Sequence, residues 1–303
     1  MKISVIGSGA MGSLYGGYLS QKNEVYLLDV WEEHINTINN KGLIIDENDG
    51  SSSIFTPRAF TKAEDIGVVD LAIVFVKSIM TEAAMEANKA LIGKDTIVMT
   101  LQNGYGNGDD IMKFVPKEQV IIGTTGHGCT IKGPGHIFHA GQGPTHIGAM
   151  GGGQGNALKV AKILEECGFE TDVSDEVFRL VWSKLFVNVG INAVTSLLGD
   201  VNSCIVENPY ANAAARNLVA EAVVVANADG MRFEIEKEFE NVCTVARRTG
   251  ANHSSMLQDV INRRRTEILK INGAIVKKAK ELGVEAPYNT IITDMICALE
   301  KAF

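Results

Sequence analysis

The stretch Lys2-Ile3-Ser4-Val5-Ile6-Gly7-Ser8-Gly9-Ala10-Met11-Gly12 decides the fold. KISVIG (2–7) is an apolar run of strand length, and Ser13–Gln21 behind it reads as a helix. Between them Gly7, Ser8, Gly9, Ala10, Met11 and Gly12 fit G-x-G-x-x-G. Strand, glycine turn and helix in that order form the opening unit of a dinucleotide-binding sheet. Gly7 permits the tight turn, Gly9 lets backbone N–H groups approach a pyrophosphate, and Gly12 lets helix and strand pack closely. The helix N-terminus adds partial positive charge. The alternative is a glycine-rich turn without a ligand, and the motif's place between strand and helix argues against it.

Outward from this motif, EVYLLD (24–29) reads as a second strand and Glu32–Asn40 as a short polar helix closed by Gly42. LAIVFV (71–76), TIVMTL (96–101) and VIIGTT (120–125) are apolar runs of buried parallel type. Strands alternating with helices predict an α/β Rossmann-type doubly wound sheet. Gly133–Gly148, rich in Gly and His, is expected to extend it in antiparallel fashion. After about residue 175, apolar residues recur at helical spacing through 176–198, 207–229, 234–249 and 259–282, which predicts an all-α C-terminal domain. The expected division is 1–172 for a dinucleotide-binding domain and 173–303 for a helical substrate-binding and catalytic domain.

The composition is that of a globular protein, with 46% hydrophobic and 21% charged residues among 303. Twenty-eight basic against 36 acidic residues give a net charge of −8, which disfavours a nucleic-acid partner. Arg263-Arg264-Arg265 with Lys270 reads as a solvated helix face. The 5 cysteines are scattered and form no C-x-x-C pair, as expected of reduced thiols in the cytoplasm. No signal peptide is read, and no apolar run is expected to reach the roughly 18 residues of a membrane span. A small-molecule partner is expected, and the apolar helical half could supply a homodimer interface. No metal-ligand pattern is read.

Asp29 ends the second strand, where a carboxylate accepts hydrogen bonds from the ribose 2′-OH of NAD and repels the 2′-phosphate of NADP. A turn or N-cap aspartate is the alternative. Lys77, after the strand run at 71–76, could still reach a phosphate. Asn103-Gly104 follows a strand at its carboxyl end, where ligands of open parallel sheets gather; an ordinary Asn-Gly turn explains the pair nearly as well.

The helical half carries its own signal in WSKLFVNVGINAVTSLLG (182–199). Lys184, Asn188 and Asn192 recur at intervals of four and so share one face of a helix otherwise built from apolar residues. Such a polar line is either satisfied inside the protein or lines a cleft. Glu267 is expected within a helix among Ile268, Ile271 and Ile275, with a surface ion pair to Arg263 or Arg264 as its bland reading. Ser254 and Ser255 precede a helix and are candidate caps.

Together these motifs resemble the ketopantoate reductase (2-dehydropantoate 2-reductase) family. The resemblance rests on IGSGAMGSLYGG (6–17), FVKS (75–78), LQNGYGN (101–107), GTTGHG (123–128), the His139–Gly148 stretch, WSKLFVNVGIN (182–192), NHSSMLQD (252–259) and RTEI..ING (265–273). It implies NADP(H)-dependent reduction of ketopantoate, a step of pantothenate biosynthesis, on a Rossmann domain followed by a helical domain. By position, it makes Lys184 the general acid towards the ketone oxygen and Glu267 the acid that contacts the substrate hydroxyl. Asn188, Asn192 and Ser255 become substrate-binding residues. Asn103 is assigned to both cofactor and substrate, and Lys77 to the NADP phosphate side.

Two departures from the family pattern matter. No Arg follows Asp29, so the local chemistry favours NAD(H) over the family's NADP(H). Leu269 stands where the family often has Asp, which bears on the shape of the substrate pocket. The nearest alternative is an NADH-dependent D-2-hydroxy-acid dehydrogenase of the D-mandelate type. A dinucleotide-binding sensor without chemistry is the other, but it has no use for the helical half's polar line.

Overall fold

The computed structural model describes residues 1–303, and its contacts form two compact units. The first comprises Met1–Gln102 and Asn107–Phe178, the second Asn103–Gly106 and Arg179–Phe303. The sequence-based boundary after residue 172 falls inside the last strand of the first unit.

In the first unit the strands are β1 (Lys2–Ile6), β2 (Glu24–Leu28), β3 (Leu43–Glu47), β4 (Ser52–Phe55), β5 (Arg58–Phe60) and β6 (Leu71–Val74). They continue as β7 (Ile97–Thr100), β8 (Val120–Thr125), β9 (Gly128–Gly133), β10 (His136–Gly141), β11 (Thr145–Ala149) and β12 (Thr171–Val173). Its helices are α1 (Ala10–Leu19), α2 (Glu32–Lys41), α3 (Thr81–Ala87), α4 (Asn107–Ile111) and α5 (Gly155–Glu166).

Eight strands form one sheet in the order β12-β11-β8-β7-β6-β1-β2-β5. All its pairings are parallel except β8 with β11. β6 and β7 are buried along their whole lengths, which explains why their sequences are continuous apolar runs rather than alternating ones. α1 lies against this sheet, its Leu14, Tyr15 and Leu19 sharing a core with Ile3, Val5 and Leu27.

A second sheet of four strands, β4-β3-β10-β9, was not foreseen from sequence. The stretch expected to extend the main sheet divides between the two. β11 extends it antiparallel to β8, whereas β10 leaves to pair with β3 and β9.

The second unit is helical: α6 (Val177–Leu198, begun in the first unit), α7 (Cys204–Glu207), α8 (Pro209–Ala228), α9 (Ile235–Arg248), α10 (Ser255–Ile261), α11 (Asn272–Leu282) and α12 (Pro287–Glu300). α8 begins as local chemistry dictates: Asn208 accepts from the N–H groups of Tyr210 and Ala211, and Pro209 fills the first helical position. The 22-residue α6 is long and apolar enough to cross a bilayer, contrary to the sequence expectation. Its Trp182, Leu185, Phe186 and Val189 pack into the core of the helical unit, the setting of a core helix. Asn272, from the ING motif, is fully buried and donates to Asn289 at 3.1 Å and to the Val189 carbonyl at 3.4 Å, pinning α11 to α12 and α6.

The helical run expected over 259–282 is interrupted. α10 stops at Ile261 because the Arg264 N–H bonds back to the Asp259 carbonyl and the Arg263 N–H to that of Val260. This is the Schellman closure, with Arg263 in the left-handed region at φ 51°. Glu267 therefore sits in a bend before a single 3₁₀ turn (Ile268–Lys270), not within a helix. The basic cluster 263–265 is exposed on that closing turn rather than along a helix face.

Candidate functional site

The glycine motif spans the turn from β1 to α1. Gly7 has φ +92°, and a Cβ there would lie 2.6 Å from the Val76 nitrogen, so only glycine fits. A Cβ on Gly12 would lie 1.9 Å from the Gly7 carbonyl oxygen, which is the close packing of helix on strand. Gly9 differs, since a Cβ there would meet nothing within 4 Å. It faces open space at the N-terminus of α1, which no side chain caps. First-turn N–H groups left this way are suited to an anion.

Asp29 is tied to the same turn. Its Oδ2 accepts from the Ser8 N–H at 2.8 Å and its Oδ1 from the Trp31 N–H at 3.0 Å. It is thus a turn aspartate as well as a candidate ribose ligand. A carboxylate has about four acceptor positions, so two remain for hydroxyl groups. Asp29 also lines a cavity of about 480 Å³ with Val30, Lys62, Glu64, Met80 and Ala84 among its walls, within the range of small-ligand pockets. Two carboxylates and one ammonium face this space, without an arginine. Lys77 stands just past Val76, at the start of the 3₁₀ turn Ser78–Met80, and is not part of the cavity wall.

A buried chain beneath the turn escaped the sequence reading. The Gly135 N–H donates to His34 Nδ1 at 3.0 Å, so the imidazole proton resides on Nε2. Nε2 faces Ser13 Oγ at 3.2 Å, and Ser13 donates to the Ser8 carbonyl at 2.7 Å. Burial holds the His34 pKa below its ordinary value, and the Trp31 ring stacks on it at 4.8 Å. A neutral imidazole thus fixes the carbonyl side of Ser8 while Asp29 fixes its N–H.

In the helical unit, α6 carries Lys184, Asn188 and Asn192 on one side, as their spacing requires. Asn192 is 5% exposed, and the amide nitrogens of both Asn188 and Asn192 are buried without a protein acceptor. An unmet buried donor costs about 1–3 kcal/mol, so two on one stripe call for an acceptor brought from outside. Lys184 keeps some accessible surface, yet burial pulls its pKa down to about 8 against the opposing charge of Glu267. Lys184 and Glu267 thus share one electrostatic environment. The Glu267 bend is held from behind, where Glu300 of α12 accepts from the Thr266 N–H at 2.7 Å and its hydroxyl at 2.6 Å.

Ser254, not Ser255, is the cap of α10, accepting from the Leu257 N–H at 3.1 Å. Its Oγ also lies 2.8 Å from Thr195 Oγ1, one turn beyond Asn192 on α6. Ser255 is left exposed at the start of α10, beside the end of the stripe. Asn202 adds a residue that the sequence reading passed over. It donates to Thr249 Oγ1 at 2.9 Å while its own Oδ1 is buried without a partner. Asn103 belongs by its contacts to this unit, on a loop bonded to Lys270.

Residues 3–152 match the family model for ketopantoate reductase PanE/ApbA, and residues 176–300 match the model for its C-terminal domain. The chain is 36% identical to the 2-dehydropantoate 2-reductase of Halobacterium salinarum over 98% of both chains. It is 34% identical to that of Pyrococcus horikoshii, covering 99% of this chain and 98% of the relative. Among solved structures, D-mandelate dehydrogenase in a ternary complex with NADH and anilino(oxo)acetate superposes with TM-score 0.95 at 34% identity, covering 100% of this chain and 99% of that one. A ketopantoate reductase of the PanE/ApbA family from Ralstonia eutropha gives TM-score 0.91 at 27% identity, with the same coverage.

Proposed function

The chain belongs to the ketopantoate reductase family, and from that premise we propose that it reduces ketopantoate to (R)-pantoate with NADH as the preferred reductant. The observation that carries this reading is the α6 stripe: an ammonium drawn down to about 8 beside Glu267, and two buried amide donors that lack acceptors. A 2-keto acid supplies the missing acceptors through its carboxylate and carbonyl oxygens.

A reduced nicotinamide supplies the hydride when bound. Gly9 and the uncapped start of α1 would hold its pyrophosphate, and Asp29 its adenosine ribose. In the helical unit Lys184 donates a proton to the ketone oxygen as charge grows there. Glu267 opposes the effect of burial, so that most of Lys184 stays charged near neutrality, and accepts from the substrate hydroxyl. Asn188 and Asn192 donate to substrate oxygens without adding charge, Ser255 binds the carboxylate end, and Asn103 contacts the substrate, with a cofactor role added by the family resemblance. The first unit thus serves the dinucleotide, and the helical unit, with Asn103–Gly106, the keto acid.

NADH is favoured over NADPH because the cavity at Asp29 presents two carboxylates and no arginine to a 2′-phosphate. Lys77, which would serve NADPH, lies outside that cavity wall. A D-mandelate-type activity is the second reading, supported by the TM-score of 0.95 to a D-mandelate dehydrogenase bound to NADH. Steady-state kinetics with ketopantoate, 2-ketoisovalerate and phenylglyoxylate, each with NADH and NADPH, decides among these. The highest kcat/KM is expected for ketopantoate with NADH. A preference for phenylglyoxylate would transfer the assignment to the second reading, and no oxidation with any keto acid would overturn both.

A further inference from the structure

We propose that Tyr105 is a positioning residue that anchors Asn103 to the Glu267 segment and thereby sets its hold on the substrate. The proposal rests on the assignment of Asn103 to the substrate site. Asn103–Gly106 follows the end of β7 in sequence by only a few residues, yet packs as part of the helical unit. An Asn-Gly turn can satisfy itself locally, so a loop of this kind needs no such attachment to fold.

Four contacts of Tyr105 make the attachment. Its N–H donates to the Lys270 carbonyl at 2.8 Å, and the Lys270 N–H donates to the Glu267 carbonyl at 2.9 Å, which puts the loop one turn from Glu267. Gly104 makes the approach possible: its φ is +90°, and a Cβ would lie 2.4 Å from the Lys270 carbonyl oxygen. The Tyr105 ring packs on Trp182, two residues before Lys184 on α6, with centroids 4.5 Å apart. Its hydroxyl donates to Asp229 Oδ2 at 3.1 Å, while Lys278 Nζ lies 3.3 Å from Asp229 Oδ1 and 5.6 Å from the ring centroid. One residue therefore joins the loop to α6, the end of α8 and α11 through its side chain, and to the Glu267 turn through its backbone N–H. A loose Asn would have to be ordered at each binding event; a clamped one is ordered beforehand.

The test uses the full chain with Tyr105→Ala, Tyr105→Phe, Asn103→Ala and the Ala/Ala double variant. Hydrogen exchange of the 103–107 segment reads the anchor, and kinetics with ketopantoate and NADH read its consequence. Tyr105→Ala is expected to speed exchange in that segment and lower kcat/KM by roughly 10- to 100-fold, the effect of a binding group displaced by about 1 Å. Tyr105→Phe keeps the ring and the backbone bond and should stay within about threefold of the parent, the loss of one modest hydrogen bond. In the Asn103→Ala background, Tyr105→Ala should add nothing, as for a residue that acts through another. Unchanged exchange in Tyr105→Ala, or additive effects in the double variant, would overturn the proposal. If Asn103→Ala is kinetically silent while exchange still rises, the anchor stands and the assignment of Asn103 falls instead.

Discussion

Asp29 Oδ2 accepts the Ser8 N–H at 2.8 Å, so the residue that would select the cofactor also shapes the turn that would hold it. Asp29→Asn retains only one of the two backbone bonds and removes the charge. NADH should bind about tenfold more weakly, close to 1.4 kcal/mol, while NADPH loses less because a repulsion is relieved. Fluorescence titration with both cofactors measures this. A variant that keeps the parent's NADH preference would remove Asp29 from cofactor choice.

Lys184 predicts a pH profile. The proton donor exists only below its pKa of about 8, so kcat/KM for reduction should fall as pH rises through that value. Glu267 raises the Lys184 pKa, so Glu267→Gln should move the falling limb to lower pH. Lys184→Ala should cost at least ~10²-fold in turnover, typical of a lost general acid. A limb that does not move in Glu267→Gln would separate the two residues.

The same pKa makes a stability prediction with a definite sign. Between about 8 and the ordinary 10.5, the unfolded chain binds a proton that the folded one releases, so stability rises with pH across that window. At pH 7 the folded protein bears the cost of charging a buried lysine. Lys184→Met should therefore raise Tm, by roughly 2–4 °C per kcal/mol recovered, while abolishing turnover. A lowered Tm would mean that Lys184 supports the fold.

Asn192 offers a cleaner separation of binding from folding. Its amide nitrogen has no protein acceptor, so Asn192→Leu forfeits no internal donor bond and should leave Tm unchanged or higher. KM for ketopantoate should rise about tenfold, the equivalent of one good hydrogen bond. A sharp fall in Tm with intact KM would make Asn192 a core residue only.

Glu300, on α12, braces Thr266 with two hydrogen bonds. Glu300→Ala should lower stability by about 1.5–3 kcal/mol, as for bonds to a charged group, and slow turnover by releasing the Glu267 bend. Denaturant unfolding and kcat, measured on the same preparations, test the two effects together.

Much of the candidate site's framework was legible because its signals are local. The β1 turn announced itself through glycines whose positions admit no Cβ, and α6 through polar residues recurring every four in an apolar helix. What hid Glu267 was an arginine at the left-handed position that usually takes glycine. Arg263 gives no stop signal in sequence, so the apolar spacing around Ile268 and Ile271 read as continuous helix. β4 was missed for a related reason: Ser52–Phe55 is exposed along most of its length and carries no apolar alternation.

The sequence by itself determined the strand–glycine–helix opening, the helical second half and the line Lys184, Asn188 and Asn192, because each is a matter of period and side-chain size within a few residues. Tertiary structure alone decided which nitrogen of His34 carries the proton, that Glu300 braces Thr266 beside Glu267, and that Tyr105 ties the Asn103 loop to Lys270. Those relationships join residues 101, 34 and 165 positions apart, and hydrogen bonds over such distances exist only once packing has brought their partners together.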